Sequence, residues 1–151
     1  MSKRIRTTLG FRAHSGWATV VALKVPVHAP SVIERKRIAL ADPETPGSMQ
    51  PFHAAAELNK TAAARFIALC TSATNAMAKR ELRAVVKDLS DRGHVVVACG
   101  NLLGSGRSPA TLAAALASHP MLHTAEGKFF REALNVASRH LGLQVSGIVE
   151  K

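Results

Sequence analysis

The stretch GFRAHSGWATVVAL, Gly10 to Leu23, decides how the chain starts to fold. Leading into it, Ile5, Thr7, Leu9 and Phe11 alternate with Arg4, Arg6 and Thr8, the period-two pattern of a strand with one wet side. AHSG is a small-residue turn, and residues 17–25, WATVVALKV, form a nearly continuous apolar strand. Two prolines then break PVHAP. Residues 32–40, VIERKRIAL, fit a strand but carry charge on both faces, which suits a sheet edge where charge discourages sheet-to-sheet aggregation. Three strands with such short links make an antiparallel meander.

Beyond the meander, helix and strand signals alternate. Residues 41–52, ADPETPGSMQPF, hold three prolines and a glycine, so helix resumes only after Pro51. From about Phe52 to Asp91 nothing interrupts helix. Phe66, Cys70, Ala73 and Met77 mark one apolar stripe, and Leu82, Val85, Val86 and Leu89 continue it with a shift of phase. An unbroken helix over 60–90 would span about 45 Å, so a bend is expected near Asn59 or Thr74–Asn75, and Gly93 closes the helix. HVVVAC, residues 94–99, reads as a short central strand covered on both faces. After GNLLGSGRSP, Ser108 as N-cap and Pro109 in the first turn would start a short helix. ASHPMLHT interrupts, and a second helix runs from about Ala125 to Leu141 with Phe130, Leu134, Ala137 and Leu141 as its stripe. Gly142 ends it, and LQVSGIVE is a last strand. Right-handed crossovers put the fourth strand parallel beside the first and the last beside the fourth. The expected fold is a single α/β domain over residues 1–151, a mixed five-stranded sheet in the order 3-2-1-4-5 with helices on its faces.

The charge is uneven. Of the formal +10, residues 1–40 contribute eight Lys/Arg against one acid, Glu34. A basic face attracts polyanions and gains from counterion release; solubility alone is the plainer alternative. No window approaches the roughly 18 apolar residues of a membrane helix. The N-terminal MSKRIRTTLGF lacks the apolar stretch of a secretory signal, so a cytoplasmic protein with no membrane partner is expected. Cys70 and Cys99 form no C-x-x-C pair and sit in apolar surroundings, as buried inert thiols do.

This element order, with the hairpin LGFRAHSGWATVV, resembles the ribonuclease H-like fold. In junction-resolving nucleases of that fold the first strand ends in an aspartate before a glycine-rich turn, and here Arg12 stands at that place. Two-metal cleavage needs carboxylates holding two ions about 4 Å apart, whereas VVVACGN at the end of the fourth strand offers none. The resemblance extends to ribosomal proteins with a ribonuclease H-like motif and to the middle domain of eukaryotic-type release factors, which look like this without a metal cluster. In one such ribosomal protein a Gly-rich loop and the following helix lie on RNA, and NLLGSGRSPATLAAAL is similar to that segment. Short bacterial proteins with SGWA and HTAEG-like segments are also similar, a kinship that implies no activity.

Ligands of open α/β sheets sit at the C-terminal ends of the parallel strands, where Arg12–Trp17, Gly100–Ser108 and His119–Arg131 would converge. Arg12 would fork onto a phosphate with His14 and Ser15 as further donors. Gly104–Arg107, GSGR, would present backbone N–H groups, Ser105 and Arg107 to an anion, although the Gly-Lys-Ser/Thr ending of a Walker motif is absent. HPMLHTAEGKFFR adds Lys128 and Arg131. His119 and His123 are four apart, but Pro120 follows the first, so they need not share a helical face. A zinc site would need a further ligand from Glu126, His14 or His53. No cofactor or metal is therefore assigned, a single divalent ion being the alternative. Glu126 in a first helical turn would also suit the helix dipole.

The leading expectation is binding of nucleic acid, RNA or DNA, or another phosphate-bearing ligand in one crevice formed by Arg12, His14, Ser15, Ser105, Arg107, Lys128 and Arg131. Aromatic residues make up only 4%, with no tyrosine, so stacking platforms for bases are thinly supplied. A hydrolase using His14, His123 and Glu126 for acid–base work, with or without one metal, is the first alternative. A protein-interaction domain pairing through its charged edge strand is the second.

Overall fold

β1 (Ile5–His14) and β2 (Trp17–Lys24) form the opening hairpin, in a computed structural model that describes residues 3–25, 28–104 and 107–149. His14 pairs with Trp17 across the turn. Gly16 supplies the positive φ, +81°, and its carbonyl accepts the backbone N–H groups of Leu40 at 2.8 Å and Ala41 at 3.1 Å. The turn is thereby tied to the end of β3 (Ser31–Ala39), and a side chain at Gly16 would run into Met49. β3 pairs antiparallel with β2, completing the expected meander with the charged strand at the edge.

β4 (His94–Leu103) and β5 (Gln144–Val149) add parallel to β1 and to each other, so the sheet order is β3-β2-β1-β4-β5. This is the strand order and mixed parallel and antiparallel pairing expected from the sequence. β4 outruns its expected end at Cys99 because Gly100 stays in the ladder, paired with Gly10 on one side and Ser146 on the other.

The chain leaves the meander for α1 (Pro51–Ala56) and α2 (Lys60–Asp91). The expected bend falls at Asn59, whose side chain accepts the N–H of Ala62 at 2.9 Å as N-cap; Thr74–Asn75 is uninterrupted helix. The buried stripe of α2 runs through Cys70, Thr74, Ala78, Leu82, Val85 and Leu89. Ala73 is exposed and Met77 half-buried, contrary to the sequence pattern. Small Thr74 and Ala78 suit the close approach of α4. α3 (Leu112–Leu116) starts at a Thr111 cap rather than at Ser108–Pro109. α4 (His119–His140) begins six residues before Ala125, because Ser118 caps it and Pro120 sits in its first turn, where a missing N–H costs nothing.

α2 and α4 pack on one side of the sheet. Their Leu82, Val85, Leu89, Phe130, Leu134 and Ala137 meet Leu9, Phe11, Val20, Ile38 and Cys99 from the strands. α1 and α3 form an outer tier, in which Phe52, Ala115, Leu122 and Ala125 make a second apolar cluster. Among the described residues, none of the four helices covers the other side of the sheet, so β4 is not the doubly covered strand that HVVVAC suggests. No described helix is long and apolar enough to cross a membrane.

Candidate functional site

Alternation decides what the open side presents. Leu9 and Phe11 of β1 point into the core, so Arg6, Thr8, Gly10, Arg12 and His14 point away from the helices. Register then brings Trp17, Thr19, Val21 and Leu23 of β2, and Arg35 and Arg37 of β3, onto the same face. Ala98, Gly100 and Leu102 of β4 and Ile148 of β5 extend it. The result is a trough of about 890 Å³ lined by strand residues, including Arg12, His14, Trp17 and Arg35. Its floor is bare at Gly10, where a side chain would meet nothing within 4 Å; over the paired Gly100 the Ile148 side chain closes in, 3.2 Å from where a Cβ would stand.

One end of the trough is organised by Trp17. The His14 ring stacks on it at 3.9 Å with planes 13° apart. The Arg37 guanidinium lies 3.9 Å from its ring centre. Because β2 lies between β1 and β3, the indole is sandwiched, histidine on one side and guanidinium on the other. Such a cation–π contact is worth about 0.5–1 kcal/mol near solvent. Among the described residues the only acid of the five strands is Glu34, which lies on the helix side, where it pairs with Arg92 of the α2 C-cap at 2.7 Å. The described strand residues of the open face thus carry four arginines and no carboxylate.

A second grouping lies on the helix side. Phe52 anchors α1 against Leu122 and Ala125 of α4, which holds the adjacent His53 against the first turns of α4. There the His53 Nδ1 contacts Glu126 Oε2, and His119 and His123, one turn apart, bring their Nε2 atoms to 2.9 Å. All three rings are in edge-to-face contact, with centres 4.5–5.5 Å apart. Glu126 is 3% exposed, and its Oε1 has no hydrogen-bond partner among the described residues. Burial pushes its carboxyl above the usual carboxylate range, while His53 and the backbone of Phe52 pull it partly back.

The structure therefore separates the residues that the sequence gathers into one crevice. Arg12 and His14 face the open trough, whereas His123 and Glu126 sit with α4 on the core side, opposite faces of one sheet. The partner of Glu126 is His53, and neither His14 nor His123 reaches it, so the acid–base set of His14, His123 and Glu126 is not assembled. Glu126 lies in the second turn of α4, not the first, and His119 and His123 do share a helical face. Ser15 is exposed in the hairpin turn and Arg107 is exposed in its loop. Ser105 lies outside the described residues. Arg131 is partly buried, its guanidinium lying against Gly104 and Gly127, and burial lowers its pKa. Lys128 lines a separate apolar pocket of about 360 Å³ beside Phe52, Pro109 and Phe129. Both cysteines are buried, and burial pushes the Cys99 thiol up to about 11.

Two signals in the sequence point to what the single-crevice reading misses. Ser-His-Pro at 118–120 is a cap followed by a first-turn proline, which puts His119 and His123 on one helix face. Arg35 and Arg37, two apart on an edge strand, must share a face with each other.

No family model matches the chain, and no curated protein matches it in sequence. Among solved structures it is similar to RuvC of T. thermophilus in complex with a Holliday junction substrate, with a TM-score of 0.48 and 8% identity, over 97% of this chain and 64% of that one. It is also similar to the Aquifex aeolicus member of the Ppx/GppA family, with a TM-score of 0.40 and 12% identity, over 96% of this chain and 35% of that one. The chain thus spans less than two thirds of either structure.

Proposed function

We propose that the protein binds single-stranded nucleic acid, RNA or DNA, on the open face of its sheet. The observation that carries this reading is the Arg37–Trp17–His14 stack on a helix-free face that also bears Arg6, Arg12 and Arg35. Phosphates are taken by guanidinium forks. The bare floor at Gly10, flanked by Val21, Leu23 and Leu102, accepts the flat face of an unpaired base, as exposed sheets do in RNA-binding modules. The scarcity of aromatic residues matters less than their placement, since the single tryptophan of the chain stands on this face. A duplex, whose bases are turned inward, would use the arginines but not the floor.

The test is fluorescence anisotropy of short labelled single strands and duplexes against salt. Three to four phosphate contacts predict a slope of log K against log salt of about −2 to −3 for a single strand. Arg35→Ala with Arg37→Ala should flatten the slope by about 1.4 and leave the fold intact, because both side chains are solvent-facing at an edge. Equal affinity of the double variant and the parent would refute the assignment of this face.

A further inference from the structure

The three histidines on the helix side match a different chemistry, and we propose that His53, His119 and His123 form a binding site for a divalent cation of the zinc class. Their donor atoms all lie within 4.8 Å of one another, and the His119 and His123 Nε2 atoms are 2.9 Å apart. Nitrogens bound to one tetrahedral ion at about 2.0–2.1 Å sit roughly 3.3 Å apart, so a small outward rotation of two exposed rings opens the pair to that spacing. For both rings to coordinate, each carries its proton on Nδ1 and turns its Nε2 lone pair to the ion.

His53 is prepared for the same role by its neighbour. The buried Glu126 carboxylate engages Nδ1, which leaves Nε2 as the donor. A carboxylate behind a liganding imidazole sets the tautomer and raises ring basicity. The charge of Glu126 also opposes the positive N-terminal end of α4, which by itself disfavours a cation there.

The ligand set selects the ion. Three imidazoles suit zinc, cobalt, nickel or copper and do not suit magnesium or calcium, which take oxygen. Exposed His119 and His123 leave the remaining coordination position toward solvent, open to water. The site is separate from the arginine face and independent of whether that face binds nucleic acid.

The experiment is titration of the full chain, free of any added histidine tag, with Zn²⁺ by calorimetry and with Co²⁺ by visible absorption. One equivalent should bind, with the intense d–d bands of four-coordinate cobalt and no thiolate charge-transfer band. Excess Mg²⁺ should not compete. His119→Ala and His123→Ala, at exposed positions that leave the fold intact, should each weaken Zn²⁺ binding by about 100-fold or more and abolish the cobalt bands. Glu126→Gln, acting behind His53, should weaken it by about 10–100-fold, with circular dichroism checking that this buried change still folds. Weak binding of Zn²⁺ that is the same in the parent, His119→Ala and His123→Ala would overturn the site, whatever Glu126→Gln does.

Discussion

At the scale of single residues, the trough makes an unusual demand of Gly10. Its φ is not positive and nothing stands within 4 Å of a side chain built there, so Gly10→Val is compatible with the strand and even favours it. The added methyls occupy the bare floor where a base would lie. The expected outcome is an unchanged or slightly raised melting temperature together with about a tenfold loss of single-strand affinity, since about 60 Å² of base face kept off an apolar floor forfeits about 1.5 kcal/mol. Cys99 gives a pH prediction. Burial raises its folded-state value from 9.0 to about 11, so the native state holds this proton more tightly than the unfolded chain. Its contribution to stability is complete below pH 9 and is lost as the pH rises toward 11. Urea melts across that range should show a decline that is shallower in Cys99→Ala. Residue placement was only partly legible in the sequence. Alternation already set Phe11 and Arg12 on opposite faces, yet convergence at strand ends suggested that Arg12 would join His123. Knowing which side α4 occupies was needed to separate them, and that is set by long-range contacts of Phe130 and Leu134 that no local pattern encodes.

At the scale of elements, caps decide where the helices place their side chains. Asn59 starts α2 and Ser118 starts α4, each accepting a backbone N–H of its helix. Asn59→Ala should cost about 1 kcal/mol in a chemical melt without touching either candidate site. Ser118→Ala should cost a similar amount and in addition loosen the first turn that carries His119, so its effect should be larger on Zn²⁺ affinity than that of Asn59→Ala. The strands, their order and the break at Asn59 were readable because apolar alternation, prolines and a capping residue are local signals. The extent of β4 was not, since Gly100 and Asn101 resemble a turn until Gly10 and Ser146 pair with one of them. Asn101 is instead buried on the helix side, donating to the Arg131 carbonyl at 3.1 Å and to Asn135 Oδ1 at 3.0 Å.

At the scale of the whole molecule, the sheet divides the chemistry. One side is packed by α2 and α4 and carries the histidine grouping at its outer tier. The other is a sheet face with an apolar floor and arginine rim, and it accounts for much of the charge excess in residues 1–40. Four of the eight Lys/Arg of residues 1–40 stand there with no acid among the described residues of the same face, while Lys24 and Lys36 lie on the helix side. If nucleic acid lies on this face as proposed, Trp17 reports on it directly. The chain has one tryptophan and no tyrosine, so its long-wavelength emission comes from the indole held between His14 and Arg37. Titration of the protein with an unlabelled single strand at low salt should quench or shift that emission in a saturable way, with a midpoint that moves to higher concentration as salt is added and in Gly10→Val. Binding by anisotropy with unchanged Trp17 emission would place the nucleic acid elsewhere and contradict the account.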